Sequence, residues 1–298
     1  MSITTWFLRR LFQRNDDRRD AGLTTPADIQ RRDDIPYGPD PRWQALDVYR
    51  PKDRPEKLPV IVSVHGGGWT YGDKERYQFY CMDLAQRGFA VVNFTYRLAP
   101  QFKFPAGIED THRVFSWVLQ HGEGFDLDRV FAVGDSAGAQ MLTIYSALCV
   151  HPAYAEKFGI LPPVLPDGRP FVPAALGLNC GIYQINLRGH SASFMTRGLM
   201  KALLRDRGSE KEMDLINPLP YINSRFPRSF IMTANRDPLA GPPTQLALTA
   251  RLTACGVPFV DQTYGDEDAP LGHVFHCNIR SEAARRCNDQ ECRFFLEG

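Results

Sequence analysis

The chain has 298 residues, 43% hydrophobic and 23% charged, which is the balance of a folded globular protein. Its 35 basic residues nearly match its 34 acidic ones, so it lacks the basic surplus that binding nucleic acid requires. No apolar run approaches the ~20 residues that cross a bilayer, so no integral membrane segment is expected. The seven cysteines include no C-x-x-C pair, which argues against a disulfide framework or a zinc site. Arg9 and Arg10 break the apolar start before it reaches signal-peptide length, so the expected compartment is the cytoplasm.

Residues 1–40 read as charged and irregular, except that Phe7, Leu8, Leu11 and Phe12 share one face of a short helix. From about residue 44 the pattern alternates. Apolar, β-branched runs at 58–66, 89–96, 129–134 and 228–234 predict strands, and 258–264 predicts a weaker one. Their continuous rather than alternating apolar character predicts strands buried on both faces of a parallel sheet. Helical patterns fall between them at 77–87, 108–120, 137–150 and 243–255, and a closing helix takes the last 18 or so residues. The expected class is α/β, a mostly parallel central sheet flanked by helices. Residues 181–225 break the rhythm, with Met195, Leu199 and Leu203 at helical spacing, and predict a helical insertion outside the sheet.

Two motifs carry chemistry. Gly134-Asp135-Ser136-Ala137-Gly138 follows one predicted strand and opens a predicted helix. A serine on so tight a turn needs small neighbours, and its hydroxyl is then presented at the carboxyl end of the strand. The amide of Ala137, at the helix N-terminus, points to where an oxyanion would form. The second motif, His65-Gly66-Gly67-Gly68-Trp69, follows the first buried strand. Three successive glycines cost chain entropy, which suggests backbone brought close to a substrate oxygen, with the amides of Gly67 and Gly68 as donors. No phosphate-loop lysine or dinucleotide fingerprint accompanies them.

HGGGW, YRLAP (96–100), FPA with Asp110 downstream, and GDSAG occur in this order, and together the chain resembles the hormone-sensitive-lipase-like esterases of the α/β-hydrolase fold over roughly residues 45–298. Gln101, Ala139-Gln140 and Val274 depart from the residues usual at those places. The resemblance implies a Ser, acid, His chain order. Asp237, in a D-P-L setting after a late strand, and His273, in His-Val-Phe, then complete a triad with Ser136. His276 is a rival base, and Asp266 and Asp268 read as solvated loop acids. His65 would prop the glycine loop.

The resemblance also implies a small helical cap, formed by an N-terminal segment (1–40) and an insertion at about 181–225 within a catalytic domain of 41–298. Trp69, Tyr183, Phe194 and Met195 are the candidate substrate-binding residues, with Met200 beside them. The implied activity is that of a serine carboxylesterase acting through an acyl-enzyme on short- to medium-chain esters, among them acetyl or cinnamoyl esters of plant compounds. It calls for neither metal nor organic cofactor, and its expected partner is a small-molecule ester. An aryl-formamidase-like amidase and a non-catalytic receptor on the same fold are the alternatives. The closing helix or an edge strand would serve a homo-oligomer.

Overall fold

A computed structural model describes residues 3–54, 56–122, 124–187 and 194–297. The runs that read as strands form β3 (Leu58–Val64), β4 (Ala90–Phe94), β5 (Phe125–Asp135), β7 (Arg228–Ala234) and β8 (Phe259–Tyr264). Three further strands join them: β1 (Ile29–Pro36), β2 (Ala45–Pro51) and β6 (Ala175–Asn179). The eight make one sheet in the order β1-β2-β4-β3-β5-β6-β7-β8. From β4 to β8 every neighbouring pair is parallel, whereas β1 with β2 and β2 with β4 are antiparallel.

The three strands missing from the sequence reading each disguise themselves. β1, IQRRDDIP, is a polar edge with one buried residue, Ile29. β2 is interrupted by Asp47, a charge that is fully buried because Lys74 and the Tyr49 hydroxyl hold it, at 3.0 and 2.8 Å. β6, ALGLN, is only five residues long and carries a glycine. At Gly177 an added Cβ would stand 2.0 Å from a carboxylate oxygen of Glu291, so this strand accepts no other side chain there.

The helices are α1 (Ile3–Asp20), α2 (Lys74–Gln86), α3 (Ala106–Gln120), α4 (Ala137–Val150), α5 (Pro152–Phe158), α6 (Phe194–Leu203), α7 (Glu210–Ile216), α8 (Pro242–Ala254) and α9 (Glu282–Leu296). α2 and α9 pack on one sheet face, around Tyr80, Met82, Phe131 and Phe295. α3, α4 and α8 cover the other, around Phe115, Leu142 and Leu248. Both faces of the parallel core are therefore dry, which is why those strands read as unbroken apolar runs.

The segment 1–40 is more ordered than its charge suggested: an 18-residue helix, then an edge strand of the main sheet. α1 lies against α6, the helix carrying Met195, Leu199 and Leu203. The stretch 181–225 leaves the sheet after β6 and holds α6 and α7. Residues 188–193 fall outside the described residues. No helix among those described is long and apolar enough to cross a membrane.

Candidate active site

Ser136 sits between the last residue of β5 and the first of α4, at φ +52° and ψ −114°. A non-glycine residue there is strained, and only rigid surroundings hold it. Gly134 and Gly138 make the turn sterically feasible. A Cβ on Gly138 would lie 2.0 Å from the Val64 carbonyl oxygen, and one on Gly134 would lie 2.8 Å from Gly138 itself. The Ser136 amide donates to the Asn179 carbonyl at 2.8 Å, tying the turn to β6.

The glycine loop is fixed by its own backbone and by the serine turn. Gly67 and Gly68 adopt φ of +101° and +59°, and the Gly67 carbonyl accepts from the amides of Thr70 and Tyr71 at 3.2 and 3.1 Å. The amides of Gly67 and Gly68 find no acceptor among the described residues. Asp135 bridges the two motifs. Its carboxylate accepts from the Gly66 amide at 3.1 Å and from the Tyr77 hydroxyl at 2.9 Å. Burial raises its pKa to about 6, against the lowering effects of Tyr77, the His273 charge and the Gly66 amide. His65 supports the loop as expected: its Nδ1 donates to the Gly66 carbonyl at 2.8 Å and its ring stacks on Tyr96 at 4.0 Å. Burial lowers the His65 pKa to about 4, so the ring is neutral.

Asp237 follows β7, and His273 lies between β8 and α9. His273 Nδ1 is 2.7 Å from Asp237 Oδ2. The other carboxylate oxygen accepts from the amides of Leu239 and Ala240 at 2.8 and 2.9 Å. Burial opposes ionisation of Asp237, but the hydrogen bond and charge of His273 and those two amides outweigh it, so its pKa is held below the ordinary value. The rival His276 is 1% exposed, packs edge-on to Tyr80 at 5.0 Å, and is kept neutral by burial and the nearby His273 charge, with a pKa of about 3. The structure therefore pairs His273, and not His276, with the acid. Ser136 Oγ makes no hydrogen bond to His273 among the described residues, a link that is often loose without substrate.

The predicted substrate-binding residues are differently placed. Trp69, at φ +59°, is 5% exposed and donates its indole N–H to Gln140 Oε1 at 3.2 Å. It lines a cavity of about 10 Å³ with Tyr96, Phe104, Met141 and Leu203, so it closes the interior more than it walls an open pocket. Tyr183 is 1% exposed, and its hydroxyl donates to the Leu178 carbonyl, which makes it part of the core. Met195 is partly buried against the same core, and Met200 is buried. Phe194 opens α6, and its side chain lies outside the described residues. Leu199 approaches the glycine loop: a Cβ on Gly68 would meet its methyl groups at 3.2 Å.

Sequence reasoning treated Gln140 only as a departure from a common pattern. In the structure it joins Trp69 to the Ile216 carbonyl, 2.7 Å from its Nε2, and so couples the glycine loop to the end of α7. A larger cleft of about 570 Å³ opens between α1 and the chain after the glycine loop, lined by Arg9, Trp43, Thr70, Tyr71 and Lys74 among others, but by none of Ser136, Asp237 and His273.

The family profile for the alpha/beta hydrolase fold matches residues 61–276. The chain is 26% identical over 230 residues to Esterase LipQ of Mycobacterium tuberculosis, a match covering 75% of this chain and 53% of that one. It is 35% identical over 102 residues to the ethyl acetate hydrolase of Pseudomonas putida, covering 33% of this chain and 32% of that one. The chain thus spans about half the length of LipQ and about a third of the hydrolase. Among solved structures, the inhibited Esterase B from Lactobacillus rhamnosis is similar with a TM-score of 0.86 and 23% identity, covering 99% of this chain and 96% of that one.

Proposed function

The chain belongs to the α/β-hydrolase family, in its hormone-sensitive-lipase-like branch, and from that premise we propose that it is a serine carboxylesterase. The observation that carries this reading is the 2.7 Å contact between His273 and Asp237, two residues 36 positions apart in sequence, at the same carboxyl edge as the strained Ser136.

In the proposed mechanism Ser136 Oγ attacks the ester carbonyl carbon while His273 Nε2 takes its proton. Asp237 holds the imidazole by Nδ1 and stabilises its cation. The amides of Gly67, Gly68 and Ala137 receive the negative oxygen, and each such donor is typically worth ~2.7–4 kcal/mol. His273 returns the proton to the leaving alcohol. Water, deprotonated by the same histidine, then cleaves the acyl-enzyme. Every acid–base step is carried by side chains of this protein. In this reading α1 and the described part of 181–225 act as the cap, whereas β1, also within residues 1–40, belongs to the main sheet; the packing of α1 on α6 and of Leu199 over Gly68 supports this. That close cover favours short- to medium-chain acyl groups, such as acetyl esters, over long-chain fats. The name of the Pseudomonas putida relative points the same way. The seven free cysteines fit a reducing compartment such as the cytoplasm.

The test is hydrolysis of p-nitrophenyl acetate, butyrate and octanoate by the wild type beside Ser136→Ala. We expect turnover that declines toward octanoate and falls by about 10³-fold or more in the variant. A folded wild type inert on all three esters but active on an aryl formamide would replace esterase with amidase.

A further inference from the structure

Cys180 follows β6 directly at φ +48°, fully buried, beside the acid–base pair. Its amide donates to the Met232 carbonyl at 2.7 Å, which fixes the backbone and aims the side chain. Ligand atoms of Cys180, Asp237 and His273 all lie within 4.8 Å of one another. A thiol, a carboxylate and an imidazole gathered this closely form the donor set of a zinc-type site with three protein ligands. Met232 Sδ, 3.8 Å from Cys180 Sγ, adds a soft atom beside the thiol. Tetrahedral bonds of about 2.0–2.3 Å put neighbouring ligands roughly 3.3–3.8 Å apart, so on binding the thiol closes in from within 4.8 Å and the Asp237–His273 contact opens from 2.7 Å.

We propose that Cys180, Asp237 and His273 form an inhibitory site for a thiophilic divalent cation of the zinc and cadmium class. On binding, the Cys180 thiol loses its proton to solvent as the metal–sulfur bond forms. The proton on His273 Nδ1 moves to Nε2, freeing the Nδ1 lone pair for the metal. Thiolate and carboxylate neutralise the two positive charges, and water fills the fourth position; no electron is transferred. Hard cations such as magnesium and calcium, which prefer oxygen ligands, are poor fits. A metal seated there breaks the Asp237–His273 link and leaves Nε2 protonated, so the imidazole has no base to offer. The site rests on the geometry alone. Only its inhibitory consequence rests on the esterase reading.

The experiment adds CdCl₂ to the protein and follows the thiolate-to-cadmium charge-transfer absorption, with ZnCl₂ inhibition of p-nitrophenyl acetate hydrolysis measured in parallel. We expect a saturable one-equivalent band that survives in Ser136→Ala and is lost in Cys180→Ser. Zinc inhibition should be reversed by chelator and need at least about tenfold more metal in Cys180→Ser. His273→Gln gives a second reading should Cys180→Ser fail to fold, and it should weaken cadmium binding by a similar factor. A band and inhibition unchanged in Cys180→Ser, or cadmium binding unchanged in His273→Gln, would overturn the proposal. A Cys180-dependent band in a protein that hydrolyses no ester would retain the metal site and refute the esterase reading.

Discussion

Gly138 and Gly159 have the same side chain for different reasons. Gly159 caps α5 at φ +65°, with nothing within 4 Å of a built Cβ, so Gly159→Ala meets only the left-handed backbone penalty of about 1–2 kcal/mol. Gly138 has an ordinary helical φ, but its Cβ would sit 2.0 Å from the Val64 carbonyl oxygen. That atom belongs to the central strand β3, which cannot yield cheaply. Gly138→Ala should therefore cost about 3 kcal/mol or more, the larger loss of the two by urea unfolding. Equal losses would show that the turn relaxes around a methyl group. At this scale the sequence was most legible. Motif glycines and the Ser, Asp and His residues are chemically singular, whereas Cys180 was invisible because its neighbours are 57 and 93 positions away and no spacing rule joins them.

Elements were legible where burial was two-sided and illegible where a polar residue was paid for by a distant partner. β3, β4, β5 and β7 announced themselves as apolar runs, but β2 was masked by Asp47, whose counterion Lys74 comes from α2. α1 was the larger surprise. Its apolar face was legible in part, but its length was not, since several of its contacts are polar and their partners are remote in sequence. The Arg9 guanidinium donates to the carbonyls of Thr70 and Ala99, Asp16 accepts from the Tyr71 hydroxyl at 2.7 Å, and Phe12 packs on the Tyr71 ring at 5.8 Å. These ties hold α1 to the chain leaving the glycine loop. Arg9→Ala combined with Tyr71→Phe should cost only about 2 kcal/mol, a fall of roughly 3 °C in Tm for a chain of 298 residues. Cleavage within residues 9–20 by trypsin should quicken several-fold more than cleavage elsewhere. If α1 is part of the cap, KM should rise more than kcat falls. Uniform proteolysis across the chain would mean α1 is held by other contacts.

Among the titratable groups buried in the described residues, two acids and two histidines have acid responses that oppose one another. Burial raises Asp135 to about 6 and Glu291 to about 7, and lowers His65 to about 4 and His276 to about 3. An acid with a raised folded pKa binds its proton more readily folded than unfolded, so it adds stability as pH falls through the folded value toward the unfolded one. A histidine with a depressed folded pKa does the reverse: its stability is present above the unfolded value, near 6.5, and is lost as pH falls toward the folded one. Between about pH 6.5 and 4.5 the two gains and two losses largely cancel, and stability should be nearly flat. Below about 4 the acids are spent, His276 still resists protonation, and Asp237, whose pKa is held low by His273 and two amides, loses its stabilising charge. Unfolding should then set in steeply. Asp135→Asn removes one gain, so the wild type should become more stable relative to this variant as pH falls from 6 to 4, by up to about 3 kcal/mol. Replacing the His276 imidazole in His276→Asn removes a loss and should extend the plateau to lower pH. Urea unfolding at half-unit pH steps reads both. Parallel wild-type and Asp135→Asn profiles would mean that Asp135 is ionised at no cost in its bridge between the glycine loop and the serine turn. The Gly66 amide and Tyr77 hydroxyl would then have to match water's solvation of the charge.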